Sequence, residues 1–229
     1  MQQPLAIARR AVGRPPKQPG AAIHRRVTER ILDKEADDWR AAMTFAVASP
    51  DGGGGLGMAP TVHTTVQWSQ APMAGAGEPE RLQALMNKVA IQLRRWTGRP
   101  AVWLYAREGG LKKGVHLHLL AHVPPAKIPA FDTAMKRWVA AGADSFDARA
   151  VKTVPVWSAD LDTLISYFLK EGTDEVHDRH GVLDSHRDKR NRYPIPVAGQ
   201  RLKASHAIGP TARAQHRLTA AGGQHVSEH

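Results

Sequence analysis

The chain of 229 residues contains no cysteine. This absence excludes a disulfide-stapled secreted scaffold, a cysteine zinc finger, an iron–sulfur protein and a thiol enzyme. The sequence also lacks any run of about 18 apolar residues, so it predicts no membrane span. Its first residues, MQQPLAIARRAVGRPPK, have no sustained apolar stretch and do not resemble a signal peptide. From these features we expect a cytoplasmic protein with no membrane partner.

Acidic residues are scarce relative to basic ones. There are 21 Asp and Glu residues against 32 Lys and Arg residues, which gives a net charge of +11 and a pI near 10.3. This balance indicates a polyanionic partner, with nucleic acid first. The glycine-rich residues 50–60, PDGGGGLGMAP, are not followed by the Gly-Lys-Ser/Thr of a phosphate-binding loop. They therefore predict a flexible loop, and the chain has no recognisable ATPase or helicase motif.

Composition divides the chain into three regions. Residues 1–25 carry basic residues and prolines but no acid, which predicts a disordered basic arm. Residues 26–172 show apolar periodicity and predict one compact domain. Residues 173–229 are polar and rich in His and Arg, so they predict a flexible, basic C-terminal extension.

The apolar periodicity within the central region predicts an α+β fold. Strands are expected at residues 61–68, 101–108, 115–123 and 149–157, and amphipathic helices at residues 26–42, 78–97, 126–142 and 159–171. The segment GGLKKG, residues 109–114, predicts a hairpin between the second and third strands. This order is typical of a mostly antiparallel sheet of four to five strands, in a split βαβ arrangement, with helices packed on one face.

The third predicted strand carries regularly spaced histidines. In VHLHLLAHV, residues 115–123, strand alternation places His116, His118 and His122 on one face and apolar residues on the other. Two imidazoles two residues apart on one face can bind a single metal ion. His116 and His118 are therefore candidate ligands, and His122 is a reserve ligand further along.

The preceding strand offers a carboxylate. It ends at Glu108, and the hairpin places Glu108 nearly opposite His116. Two imidazoles and a carboxylate leave coordination positions open for a substrate oxygen. The alternative is that Glu108 is a solvated acid at a strand end. On the first predicted strand, His63 and Gln67 share one face and are expected to line the same site.

The helix at residues 159–171 carries a tyrosine at the flank of its buried stripe. Tyr167 lies there, and Lys170 follows three residues later on the same side. A tyrosine in this position can pack its ring while its hydroxyl projects into a site. From the helix alone, Tyr167 is either a boundary residue or a nucleophile.

Taken together, these motifs resemble those of the HUH endonuclease superfamily. His116-Leu117-His118 matches the His–hydrophobic–His motif, and Tyr167-Phe168-Leu169-Lys170 resembles the Tyr-x-x-Lys motif of rolling-circle replication initiators. Glu108 occupies a place similar to the third metal ligand, while TVHTTVQW matches the first motif only loosely. The resemblance covers roughly residues 60–172 and indicates the single-tyrosine class.

The resemblance implies a metal-dependent enzyme that nicks and joins single-stranded DNA through a 5′-phosphotyrosine intermediate. Mg²⁺ or Mn²⁺ would be held by Glu108, His116 and His118, and Tyr167 would be the nucleophile. Lys170 would favour the phenolate or contact the scissile phosphate. The expected role is to initiate rolling-circle replication of a plasmid, phage or other mobile element on single-stranded or hairpin origin DNA, with a separate host helicase.

Other functions remain open at this stage. A single-tyrosine transposase or a relaxase belongs to the same class of enzyme. A water-activating metallohydrolase would use the metal but not the tyrosine, and a non-catalytic DNA-binding protein would use neither.

Basic residues around these motifs are candidate contacts to DNA phosphates, which provide affinity rather than sequence choice. They are Lys112, Lys113, Arg187, Lys189, Arg190, Arg192, Arg201 and Lys203. The loose cluster of His177, His180 and His186 predicts a solvated loop rather than a zinc site, because no cysteine accompanies it. Tyr105, between apolar strand neighbours, is expected to pack in the core.

Overall fold

Five strands form one antiparallel sheet in the part of the chain that the computed structural model describes. The described residues are 27–51, 54–73, 77–111, 114–141, 143–190 and 195–223. The predicted disordered arm at residues 1–25 lies outside these ranges. Within them, no helix combines the length and the apolar character needed to cross a bilayer.

The described residues form seven strands and seven α-helices. The strands are β1 (Val27–Thr28), β2 (Val62–Gln67), β3 (Trp103–Gly110), β4 (Gly114–Ala121), β5 (Val151–Pro155), β6 (Val197–Ala198) and β7 (Leu202–Ala204). The helices are α1 (Asp33–Val47), α2 (Glu78–Thr97), α3 (Ile128–Ala140), α4 (Leu161–Phe168), α5 (Asp174–His180), α6 (Asp184–Arg187) and α7 (Pro210–Gly223). The α+β class and the antiparallel sheet agree with the sequence prediction.

Helix α2 shows how local sequence sets an element's ends. Its first turn carries Glu78 and Glu80 and its last turn carries Arg94 and Arg95, a distribution that complements the helix dipole. Gly98 follows with φ of 64°, the left-handed conformation that commonly ends a helix. The predicted bounds, residues 78–97, are confirmed.

Strand β4 lies at the centre of the sheet, whose order is β5-β2-β4-β3-β7. Strands β2 and β3 flank β4, and each pairs with it antiparallel. Strand β5 pairs with the outer edge of β2. Because β4 has neighbours on both sides, its backbone N–H and C=O groups can form hydrogen bonds to one or the other neighbouring strand.

Helices cover both faces of the sheet, whereas the sequence predicted helices on one face. Apolar residues of α2 and α3, such as Leu85 and Phe131, pack with Leu117 and Leu119 of β4. On the opposite face, Trp39 of α1 belongs to a second core that also contains residues of α4 and α5. The functional residues described below lie on this second face.

The sheet and its core continue beyond residue 172. Strand β7 pairs with β3, placing Leu202 opposite Ala106, and Val176, Val182 and Ile208 are buried in the core around α1 and α4. The prediction of a flexible C-terminal extension is therefore wrong for the described residues after 172. The few apolar residues of this polar region are spaced too irregularly to show a strand or helix period, yet they are buried.

Candidate functional site

Pairing between β3 and β4 brings the three predicted metal ligands together. Glu108 lies directly opposite His116, and Ala106 lies opposite His118. Glu108 Oε2 is 3.2 Å from His116 Nε2, and Glu108 Oε1 is 3.4 Å from His118 Nε2. One ligand atom from each side chain lies within 4.8 Å of the other two. The trio predicted from strand alternation thus converges on one point.

The ionisation of this trio suits a divalent cation. Burial raises the pKa of Glu108, but the close contacts with His116 and His118 outweigh burial and hold that pKa well below its usual value. Burial lowers the pKa of His118, so its ring stays neutral. His118 Nε2 is buried and makes no well-aligned hydrogen bond to the described residues. An ionised carboxylate beside a neutral imidazole with a free ring nitrogen fits a metal, although it does not identify which one.

Neighbouring side chains from β2 hold the ring of His118. His63 Nε2 lies 3.0 Å from His118 Nδ1, and Thr65 Oγ1 lies 3.2 Å from the same atom. Burial and the neighbouring His118 lower the pKa of His63 to about 3, so this ring also stays neutral. Such contacts to the second ring nitrogen fix the orientation of a metal-binding histidine. His63 and Gln67 line the site, as the sequence predicted.

Lys170 pairs with the candidate ligand Glu108. Its Nζ donates to Glu108 Oε1, and both side chains are buried. The same ammonium lies 3.8 Å from the centroid of the Tyr167 ring. We expected Lys170 to favour the Tyr167 phenolate or to contact a phosphate. The structure instead commits its charge to the carboxylate, a contact that helix spacing alone could not reveal.

Tyr167 lies against the candidate metal ligands. Its ring meets that of His118 at 89°, with centroids 5.6 Å apart. Burial, followed by the charges of Glu108 and Glu171, raises the pKa of Tyr167 to about 12. The resting phenol is therefore neutral at pH 7.

Tyr167 also lines a cavity of about 480 Å³ together with His63, His116 and His118. Two basic side chains that sequence analysis did not select, Arg149 and Lys152, line the same cavity and are exposed. Lys152 pairs in register with Thr65. The predicted strand at residues 149–157 contained these residues, but the sequence did not show that this strand would lie beside β2.

The position of Arg201 contradicts the prediction that this residue contacts DNA. Its side chain is 0 % exposed, and its guanidinium donates to the backbone oxygens of Thr28, Arg107 and Ile195. Arg201 is therefore unavailable to a phosphate and is part of the core.

The other predicted phosphate contacts differ in their surroundings. Arg187 pairs with Asp178 at 2.9 Å, and Arg190 pairs with Asp174 at 2.7 Å. Lys189 is exposed and Lys203 is half-buried. Lys112, Lys113 and Arg192 lie outside the described residues.

Histidines outside the trio take separate partners. His122 follows the end of β4, and its Nδ1 lies 2.7 Å from Ala59 O. His177 Nε2 bonds to Lys170 O, and His180 Nε2 pairs with Asp37. His186 Nδ1 lies 2.8 Å from Ser166 Oγ, and its ring lines the cavity, which sequence analysis did not anticipate. Within the described chain, Glu108, His116 and His118 are the group with metal-binding geometry.

The site thus combines three convergent ligand side chains with a cavity that is lined by two of them, His116 and His118, by the neutral Tyr167 and by the exposed Arg149 and Lys152. These residues come from separate segments of the chain, which the sheet and α4 bring together. In comparisons with known proteins, no protein-family profile, curated protein or solved structure matches this chain.

Proposed function

We propose that the protein nicks and rejoins single-stranded DNA, with Tyr167 forming a covalent 5′-phosphotyrosine. Glu108, His116 and His118 would hold Mg²⁺ or Mn²⁺ beside it. The observation that carries this proposal is that Tyr167 lines the same cavity as His116 and His118, against the ring of His118. The His-Leu-His and Tyr-x-x-Lys motifs, which resemble those of HUH endonucleases, support it.

The arrangement of strands also supports the proposal. Helix α2 connects β2 and β3, which run parallel with β4 between them, and α3 connects β4 and β5, which run parallel with β2 between them. Two parallel strands with a third strand between them are what a split βαβ unit requires, so this order supports the arrangement that the resemblance implies. The ligand strand β4 is the central strand in this arrangement.

The reaction exchanges one phosphoester for another. The Tyr167 oxygen bonds to phosphorus, the phosphorus–O3′ bond breaks, and the products are a free 3′-hydroxyl and a 5′-phosphotyrosine. The energy of the broken bond is kept, so the same steps in reverse rejoin the strand. A bound divalent cation would polarise a non-bridging oxygen of the scissile phosphate.

This chain's own residues would position the DNA and balance charge. Lys152 provides exposed positive charge at the cavity for the DNA backbone, and Arg149, which pairs with Asp147 at 2.6 Å, lines the same cavity. Lys170 neutralises part of the Glu108 charge. The product 3′-hydroxyl can prime synthesis, so we place the activity in replication initiation of a plasmid, phage or other mobile element, in the cytoplasm. A separate helicase would open the duplex.

A water-activating metallohydrolase is the second candidate. The raised pKa of Tyr167 and the commitment of Lys170 to Glu108 favour it, because both leave the tyrosine poorly activated. In that enzyme Tyr167 would be structural and cleavage would produce no covalent adduct.

Covalent capture of labelled DNA distinguishes the candidates. A 3′-labelled, randomised single-stranded oligonucleotide library is incubated with the protein and Mn²⁺, and adducts are resolved on a denaturing gel. We expect the wild-type protein and the matched control Tyr105→Phe to retain label, because Tyr105 is buried and stacked on Trp103. Tyr167→Phe should form no adduct. EDTA should abolish the adduct that the wild-type protein forms. An adduct with Tyr167→Phe contradicts the nucleophile assignment, and cleavage without any adduct indicates the hydrolase.

A further inference from the structure

A histidine on α6 lies beside the proposed nucleophile. His186 is 7 % exposed, and its ring meets the Tyr167 ring at 83° with centroids 5.7 Å apart. Both rings line the cavity that contains His116 and His118. Tyr167 therefore packs against two imidazoles, one from the candidate metal ligands and one from α6.

A hydrogen bond from Ser166 determines which ring nitrogen of His186 carries the proton. Ser166 Oγ accepts the backbone N–H of Leu183 at 2.9 Å and lies 2.8 Å from His186 Nδ1. We assign the Ser166 hydroxyl hydrogen to the bond with Nδ1, an arrangement in which Oγ accepts from Leu183 and donates to His186. Burial lowers the pKa of His186, so the ring is neutral at pH 7. A neutral imidazole whose Nδ1 is an acceptor carries its proton on Nε2.

The Nε2–H group of His186 has no protein acceptor among the described residues. His177, by comparison, bonds through Nε2 to the backbone oxygen of Lys170 and does not line the cavity. A fixed N–H donor at the wall of a cavity, without a protein partner, is available to a bound substrate or to a reacting group.

We infer that His186 is a catalytic hydrogen-bond donor whose Nε2–H binds the phenolic oxygen of Tyr167 while that oxygen carries negative charge. This inference rests on the proposed function. In nicking, the phenol proton leaves to solvent, the Tyr167 oxygen bonds to phosphorus, and O3′ departs and takes a proton from water. In joining, O3′ loses its proton to solvent and attacks, and the Tyr167 oxygen departs as phenolate. His186 keeps its proton throughout.

The surroundings of Tyr167 explain why such a donor is needed. Lys170, whose ammonium lies 3.8 Å from the centroid of the Tyr167 ring, is committed to Glu108. A donor beside an oxygen that gains charge lowers the barrier in both directions. Ser166 is then a positioning residue, since it holds His186 in the tautomer that donates.

Adduct kinetics test the inference with the 3′-labelled, randomised library and Mn²⁺. We expect His186→Leu to slow adduct formation by about 100-fold, the usual effect of losing one such donor. His186→Gln keeps an N–H donor and should recover most of the rate. His206→Leu is the matched control, because His206 is exposed and outside the cavity, and it should behave as wild type. Mn²⁺ affinity, measured by calorimetry, should be unchanged in all three variants.

Nitrogen NMR of histidine-labelled protein provides a readout without DNA. The His186 signals of the wild-type protein should show protonated Nε2, and Ser166→Ala should shift them towards a mixture of tautomers. Protonated Nδ1 in the wild-type protein would overturn the inference, as would His186→Leu reacting at the wild-type rate. A loss of Mn²⁺ affinity or of thermal stability that accounts for the slower rate would also overturn it. If the wild-type protein itself forms no adduct, the proposed function fails and this inference falls with it.

Discussion

At the residue scale, one carboxylate is shared by three cationic or potentially cationic groups. Glu108 contacts His116, His118 and Lys170, and all four side chains are buried. Lys170 gives the site a built-in counter-charge, so the carboxylate can remain ionised inside the protein. Removing one partner of such a buried pair is more costly than removing both, because the survivor keeps its charge without compensation.

This reasoning predicts the stability of variants at positions 108 and 170. Glu108→Leu should lower the free energy of unfolding by about 3–5 kcal/mol, because it leaves the Lys170 ammonium buried without a counter-charge. The double variant Glu108→Leu, Lys170→Met should be more stable than Glu108→Leu alone. Urea denaturation in the presence of EDTA measures both. A double variant that is less stable than Glu108→Leu would contradict the pairing.

The sequence predicted the residues of the trio because their geometry is local. Glu108 and His116 face each other across a hairpin, and His118 lies on the same face as His116 because strand residues alternate. The hairpin turn and the strand alternation are therefore enough to predict the trio. The contacts of Lys170 and His186 could not be predicted in this way. Their contacts with Glu108 and Tyr167 depend on how α4 and α6 pack on the sheet, which no local pattern encodes.

At the element scale, the edge strand β7 attaches the C-terminal region to the sheet. It pairs with β3, and Glu35 Oε1 of α1 accepts the backbone N–H of Leu202. Just before β7, Arg201 bonds to three backbone oxygens that would otherwise lack these donors. The strand has only three residues, too few for a period of two to be recognised, so the sequence did not predict it.

Substitutions of Arg201 and Lys203, the two basic residues at this strand, should therefore change the free energy of unfolding by different amounts. Arg201→Met should lower the free energy of unfolding by roughly 2–4 kcal/mol, because buried carbonyl groups lose their donors. Lys203→Met, the matched control, should change it by less than about 0.5 kcal/mol, since Lys203 is partly exposed. Chemical denaturation of the two variants gives the comparison. Equal losses would show that the guanidinium bonds do not hold the strand in place.

At the scale of the whole molecule, buried histidines make stability depend on pH. His177 is buried, and its Nε2 bonds to Lys170 O, which joins α5 to the end of α4. Burial lowers its pKa below the ordinary value of 6.5. As pH falls below 6.5, the unfolded chain binds a proton before the folded chain does. The stability contributed by neutral His177 is complete above 6.5 and is lost progressively towards the lowered pKa.

We therefore expect the free energy of unfolding to fall between about pH 7 and pH 5. His177→Gln keeps an N–H donor for Lys170 O but does not titrate, so its stability should decrease less steeply over the same range. Urea denaturation at a series of pH values, with EDTA present, measures the two slopes. Parallel curves for the variant and the wild-type protein would show that His177 does not contribute to this dependence.

The position of β4 between two neighbours has a consequence for how parts of the site open. A strand paired on both sides exchanges its amide hydrogens mainly through large-scale unfolding. His116 and His118 thus lie on a strand whose amide hydrogens we expect to exchange among the slowest in the protein. A ligand entering the cavity would meet a rigid floor.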